Sequence, residues 1–165
     1  MTTKETNRLP RAFAYLLATA VLAILTSCGG KPPKEDKPPP VLRISMAVET
    51  DANRGPGGQA LPIVVRLYEL KAQGAFSGAD FFSLYDRESA TLGGELISRE
   101  EVTLAPGQTR KIQKNLNPET RYLGVLGAFR DIDHAAWRAL VPIGEGRDNA
   151  IEVAVGPSAV RALAH

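Results

Sequence analysis

Two groups of residues in this 165-residue chain have side chains of the kind used in acid–base or metal chemistry. Asp131, Asp133 and His134 follow Phe129-Arg130 closely enough to form a weak metal or acid–base patch. One histidine and two carboxylates without a further ligand rarely specify a metal, so a polar interstrand loop is the plainer reading. Glu88, Glu100 and Glu101 offer paired carboxylates, whose pKa values would separate if they were buried together. Yet adjacent strand residues point to opposite faces, which parts Glu100 from Glu101 and leaves solvated charges as the better account. The glycine runs fail as phosphate cradles. Gly55-Pro56-Gly57-Gly58 lacks a following Gly-Lys-Ser/Thr, and Gly144-x-Gly146-x-x-Asn149 leads into a strand pattern instead of a helix. The chain has no nucleophile elbow and no paired-histidine zinc helix. The residue types point away from an enzyme, and neither a catalytic residue, a metal nor a cofactor is expected.

The one cysteine, Cys28, carries a different chemistry. Residues 1–11 hold Lys4, Arg8 and Arg11, and an apolar run of 14 residues follows from Ala12 to Leu25. A basic start, a short apolar core and the small residues Thr26 and Ser27 describe a secretory signal, because a permanent span needs about 20 apolar residues. Leu25-Thr26-Ser27-Cys28 resembles a bacterial lipobox, in which the thiolate takes a diacylglyceryl group and becomes the mature N-terminus. An incidental cysteine in a secreted protein and an uncleaved anchor are the rival readings. Two or more acyl chains hold a protein stably on a membrane where one does not. Gly29 stands where an aspartate would resemble an inner-membrane retention signal, so outer-membrane sorting is expected in a Gram-negative host.

Residues 29–40 read GGKPPKEDKPPP, a proline-rich and charged stretch with nothing to bury. In polyproline II form, at about 3.1 Å per residue, it spans roughly 35–40 Å. That length suits a tether better than a ligand for a proline-binding module. The expected organisation is a signal peptide over 1–27, a lipidated cysteine and tether over 28–40, and one folded domain over 41–165. The net charge of +2 belongs to the leader, leaving 17 basic and 17 acidic residues from position 28 onward. A neutral body has no footprint for nucleic acid.

The elements that must position any site come from the hydrophobic period. Val41–Thr50 alternates, with Leu42, Ile44, Met46 and Val48 on one face. Leu61–Leu70 repeats the pattern through Leu61, Ile63, Val65 and Leu67. Between them lies a cluster of turn formers, Asp51–Ala60. Phe81, Leu84 and Tyr85 then recur at helical spacing behind the cap residues Ser77–Asp80, which predicts a short helix over about 78–87 with its aromatics covering the sheet. Further strands are expected at 95–104, 109–116, 121–130, 136–143 and 149–156. The turn Ala105-Pro106-Gly107-Gln108 sits in a hairpin-like setting. Trp137, the only tryptophan, reads as core or core edge ahead of a binding hot spot. Seven short strands separated by turns predict an all-β fold, a two-sheet β-sandwich with a short helical insertion.

Several stretches together resemble one known family, the TssJ (VasD/Lip) outer-membrane lipoproteins of the bacterial type VI secretion system. They are the lipobox at 25–28, Pro62–Leu70, Phe76 with Asp80–Tyr85, Leu92–Leu96, Pro106–Gln108, and Leu123–Asp131 with Trp137-Arg138. The resemblance implies a transthyretin-like sandwich. It also implies a non-catalytic role, tying the outer membrane to the periplasmic C-terminal region of TssM, the IcmF-like inner-membrane component. The partner-contacting loop of the family corresponds here to Asp51, Ala52, Asn53, Arg54, Gly55, Pro56, Gly57, Gly58, Gln59 and Ala60, a stretch unusually rich in glycine. A plain interstrand connection is the other reading of this loop. A periplasmic small-ligand carrier is the alternative function, to be favoured by a dry cavity between the sheets, because fold alone does not fix function. No small-molecule substrate follows from the resemblance.

Lipidation at Cys28 has a direct check. Cys28→Ser should leave the precursor unacylated and uncleaved or mislocalised, and mass spectrometry of the wild-type mature N-terminus should show the acyl mass; an unmodified N-terminus would refute it.

Overall fold

The structure, a computed structural model, describes residues 38–165. The expected signal peptide, Cys28 and residues 29–37 of the expected tether lie outside the described residues. Eight strands build two four-stranded sheets, one in the order β4-β1-β7-β8 and the other in the order β3-β2-β5-β6. β1 (Val41–Val48), β4 (Thr109–Asn115), β7 (Asn149–Val155) and β8 (Val160–Ala164) make the first. β2 (Ile63–Leu70), β3 (Leu96–Leu104), β5 (Tyr122–Ala128) and β6 (Arg138–Pro142) make the second. β1 is central, antiparallel to β4 and parallel to β7.

Alternation does what it predicted. Leu42, Ile44, Met46 and Val48 turn inward and meet Ile63, Val65 and Leu67 across the gap, with Leu123, Val125, Ile151, Val153 and Val155 completing a filled interior. Each fully buried aliphatic side chain contributes about 1.5–3 kcal/mol. β2 is buried on both faces. Its other face, Tyr68 and Leu70, packs with Phe76, Leu84, Leu92 and Leu126 in a second apolar cluster under a helical layer.

That layer is not the single helix expected over 78–87. Three short helices occur, α1 (Gly74–Gly78), α2 (Phe81–Asp86) and α3 (Glu88–Leu92), followed by a 3-10 turn at Gly93–Glu95. Extended backbone at Ala79 and Asp80 separates the first two, and Arg87 leaves helical angles before the third. Asp80 caps α2 by accepting from the Ser83 N–H at 2.9 Å, as the cap chemistry suggested. Helices this short do not persist alone, since nucleation costs more than one turn returns. Burial of Phe76, Leu84 and Leu92 holds them down. Two arginines then take their orphaned C-terminal carbonyls: Arg138 Nη1 donates to Phe76 O and Ala79 O at 3.1 and 2.7 Å, and Arg66 Nη1 donates to Tyr85 O at 2.6 Å. Gly124 on β5 lets the Phe76 ring lie directly on the sheet, because a Cβ there would stand 2.9 Å from it.

Two further expectations change. Ala105–Gln108 does form a tight turn, with Gln108 N donating to Ala105 O at 3.0 Å and Gly107 at a φ of 77°. It does not close a hairpin, because β3 and β4 lie in different sheets and the turn carries the chain across the sandwich. An eighth strand, β8, appears where none was expected. Its five residues, VRALA, carry two alanines and no clean alternation, so the pattern gave no strand signal. Trp137 touches both apolar clusters, as a core-edge residue should.

The open side of the sandwich, between edge strands β3 and β4, is fastened by a charge. Glu69 follows Ile63, Val65 and Leu67 on the inward face of β2 and is 4% exposed. Lys114 of β4 reaches it from the other sheet at 2.7 Å, Thr120 donates at 2.7 Å and Ser98 at 2.9 Å. Burial alone would push this carboxyl up, but the bonds from Lys114, Thr120 and Ser98 outweigh it and hold the pKa below the usual 4.5. A depressed carboxylate contributes stability above its unfolded pKa and loses it as pH falls through the folded one. Glu69→Gln should therefore lower unfolding free energy by about 1–3 kcal/mol at pH 7. Urea unfolding measured below pH 4.5 should show the gap between wild type and variant closing.

Candidate partner-docking surface

All odd-to-even strand connections (β1–β2, β3–β4, β5–β6 and β7–β8) gather at one end of the sandwich, opposite the end where the chain runs into β1 from Pro38–Pro40. The 51–60 segment belongs to this gathered end. It divides into a root and a tip. Ala52 N donates to Glu49 O at 3.2 Å, and Leu61 N returns to Ala52 O at 3.2 Å, closing the root. Ala52 is fully buried and Asn53 is 5% exposed.

Asn53 is the pivot. It holds a φ of 50°, a left-handed conformation that asparagine tolerates better than most side chains. Its Nδ2 donates to Pro62 O at 2.7 Å, while its Oδ1 accepts the Arg130 N–H at 2.7 Å. Its own N–H reaches Gly156 O at 3.4 Å. One side chain thus joins the β1–β2 loop to the β5–β6 loop.

Beyond it, Arg54, Pro56, Gly57, Gly58 and Gln59 are exposed, with Asp51, Gly55 and Ala60 half-buried. The tip is closed by Gly55 N to Gln59 O at 2.8 Å and Gly58 N to Gly55 O at 2.9 Å, with Gly58 at a φ of 77° that calls for glycine. Arg54 pairs with Asp51 at 2.6 Å, both about half exposed. Of the ten residues expected to face a partner, two are buried. Ala52 and Asn53 serve the core and the loop root, and only the remainder offers surface. Composition hid this, because a turn-former cluster reads the same whether its asparagine faces water or a neighbouring carbonyl.

Arg130, which sequence reasoning passed over, stands across from the tip. Arg54, Gly55, Pro56, Arg130 and Asp131 line a cleft of about 260 Å³. Asp131 accepts from His134 Nδ1 at 2.8 Å within the 3-10 turn Ile132–His134. The hydrogen bond and charge of Asp131 hold the His134 pKa above the usual 6.5. Asp131, Asp133 and His134 do not converge on a metal geometry; among the described residues no group of three His, Cys, Asp or Glu is placed to hold an ion.

The other carboxylates considered for chemistry are structural ion pairs. Arg66 lies 2.7 Å from Glu101 and 3.8 Å from Glu88, and Arg99 contacts both at 3.0–3.1 Å. Glu100 is on the opposite face, 3.9 Å from Lys114. The Arg66 hydrogen bond holds Glu101 below the usual carboxylate range, the wrong direction for a general acid. An apolar groove of about 370 Å³ lies on the outer face of the β4-β1-β7-β8 sheet, beside Arg43, Ser45, Lys111 and Glu152, not between the sheets. Between the sheets the space is taken by side chains.

The family described as type VI secretion lipoprotein (VasD, EvfM, TssJ) matches residues 40–158. The T6SS lipoprotein TssJ1 from Pseudomonas aeruginosa is 38% identical, over 78% of this chain and 98% of its own, with a TM-score of 0.74. Serratia marcescens Lip, described as a membrane bound component of the Type VI Secretion System, is 26% identical over 76% and 97%, with a TM-score of 0.71. A chain from a structure described as the T6SS protein TssM C-terminal domain (869-1107) from EAEC shares the fold, at 24% identity over 74% and 97% and a TM-score of 0.61. A comparison with curated proteins found no match.

The Asp131–His134 pair is open to measurement. By NMR titration His134 should lose its proton above pH 6.5, and Asp131→Asn should return it to about the ordinary value. A raised imidazole pKa stabilises this turn below pH 6.5 and stops doing so as pH rises through the folded value. A His134 titration unchanged by Asp131→Asn would show that the pair does not form.

Proposed function

Because the chain belongs to the type VI secretion lipoprotein family, we propose that it is held at the periplasmic face of the outer membrane by lipid on Cys28 and docks the periplasmic C-terminal region of a TssM-like inner-membrane protein. The observation that carries this reading is the position of the exposed tip. β1 runs from the end where the chain arrives to the end where the tip projects, about 25 Å away at ~3.3 Å per residue. A protein tied by its N-terminal side presents this tip away from its attachment.

The physical make-up supports a docking role over catalysis. The clustered charges are paired with one another on the sheet, and the loops rest on a filled core. Binding residues belong on loops positioned by such a scaffold. The carrier alternative needs space between the sheets, and that space is occupied by Leu42, Ile44, Met46 and their partners.

The test leaves the loop root intact. Arg54→Ser, Pro56→Ser and Gln59→Ser together keep Ala52, Asn53 and Gly58. The combined variant should melt within a few degrees of the wild type. It should bind the TssM periplasmic domain of the same organism at least tenfold more weakly, about 1.4 kcal/mol, by calorimetry. Unchanged affinity would move the docking surface away from the tip.

A further inference from the structure

Arg130 is fixed at its backbone and unused at its head. Phe129 beside it is buried against the core, and the Arg130 N–H is held by Asn53 Oδ1 at 2.7 Å. The side chain is exposed, and among the described residues no carboxylate lies within ion-pairing distance of its guanidinium. That sets it apart from Arg43, Arg54, Arg66, Arg99 and Arg121, each of which has an acidic partner.

The cleft it lines has matching chemistry. Arg54 stands on the same cleft, and its ion pair with Asp51 is half exposed. Gly55 and Pro56 contribute wall without side-chain donors or acceptors. The one carboxylate there, Asp131, is turned to His134 at 2.8 Å. Among the described residues, Arg130 is the one charged head lining the cleft that has no side-chain hydrogen bond or ion pair, since Arg54 holds Asp51 and Asp131 holds His134. A guanidinium fork fits a carboxylate with two parallel hydrogen bonds, and arginine is enriched where such contacts dominate a protein interface.

Resting on the docking reading above, we propose that the docking surface is formed by two loops, with Arg130 and Arg54 receiving an aspartate or glutamate side chain of the protein partner in the cleft between them. Asn53 is the positioning residue. It touches no partner, yet its amide sets the distance from the 51–60 tip to Arg130 by bonding Pro62 O on one side and Arg130 N on the other. Both loops are then presented as one pre-arranged surface, which spares the ordering cost that a glycine-rich tip would otherwise meet on binding.

The experiment uses the full mature chain in detergent and the TssM periplasmic domain as probe. Arg130→Glu should weaken binding at least tenfold at about 0.05 M salt, with the difference shrinking toward 0.5 M because salt screens the contact. Arg147→Glu, an exposed arginine at the opposite end of the sandwich, should stay within twofold of wild type. Asn53→Gly keeps the backbone conformation and removes both side-chain bonds. It should weaken binding, and Arg130→Glu added to it should cost less than it does in the wild type, since the two residues act as a unit. Wild-type affinity for Arg130→Glu alongside weakened binding by the serine-substituted tip would overturn the two-loop proposal and leave the docking reading standing. So would a loss insensitive to salt, or strictly additive effects of the two substitutions. Wild-type affinity for both Arg130→Glu and the tip variant would overturn the docking reading as well.

Discussion

β2 has to be buried on both of its faces, and most of the structure follows from that. Its inward side, Ile63, Val65 and Leu67, needs a second sheet. Its outward side, Tyr68 and Leu70, needs a lid. A two-sheet sandwich supplies only the first, so the stretch between β2 and β3 has to supply the second from its own length. It does so with three helices too short to exist by themselves, each held by one large apolar side chain. Gly124 is the counterpart on β5, since any side chain there would lift Phe76 off the sheet. The polar groups that the helices leave unpaired fall to Arg66 and Arg138, both rooted in strands of the same sheet. Burial places the layer, and the arginines fix its position on the sheet.

The same constraint divides labour between the ends of the molecule. The helical layer arises from the connection at the end where the chain enters β1. The end opposite is left to loops that contribute only a few residues, such as Ala52 and Phe129, to the core between the sheets. Those loops nevertheless need an internal fastening, or glycine-rich backbone would sample too many states to present a surface. Asn53 provides it at small cost in sequence, because one amide offers both a donor and an acceptor. On the other open side, Glu69 and Lys114 do a comparable job between the two sheets. A buried ion pair contributes little net stability against an apolar alternative, yet either partner left alone would be costly. The pair ties β4 of one sheet to β2 of the other.

Much of this was legible in the chain, and the illegible parts share a cause. Period-two alternation marked β1 and β2 because each shows one clean inward set. Asp80 marked the start of a helix because capping is a local matter. Glu69 was also marked, in retrospect, by its parity with Leu67, although alternation alone does not say which partner a buried charge will meet. What stayed hidden was settled by contacts distant in sequence. β8 is a strand because β7 offers it an edge, not because VRALA prefers to be one. The Ala105–Gln108 turn looks like a hairpin turn locally, and only the sheet order shows that it crosses between layers. The site is the clearest case. Asn53 and Arg130 are 77 residues apart, and no pattern within either loop announces the other.

The placement of β1 bears on what a tethered docking protein must withstand. A load applied between the N-terminal side of β1 and the 51–60 loop runs along that strand's own axis. β1 is central, with antiparallel β4 bonded along one edge and parallel β7 along the other, over nearly its whole length. Force along the axis loads both ladders at once, in shear, whereas force at an edge strand's end would part its bonds one after another. Resistance in shear scales with the number of bonds that must fail together, and in the proposed role the load would fall on a strand hydrogen-bonded along both edges. Its inward face adds to this, because sliding β1 by one residue would turn Leu42, Ile44, Met46 and Val48 out of the core. Under the proposed role, a partner held by the 51–60 loop would stand in series with this doubly paired strand, without enlarging the domain.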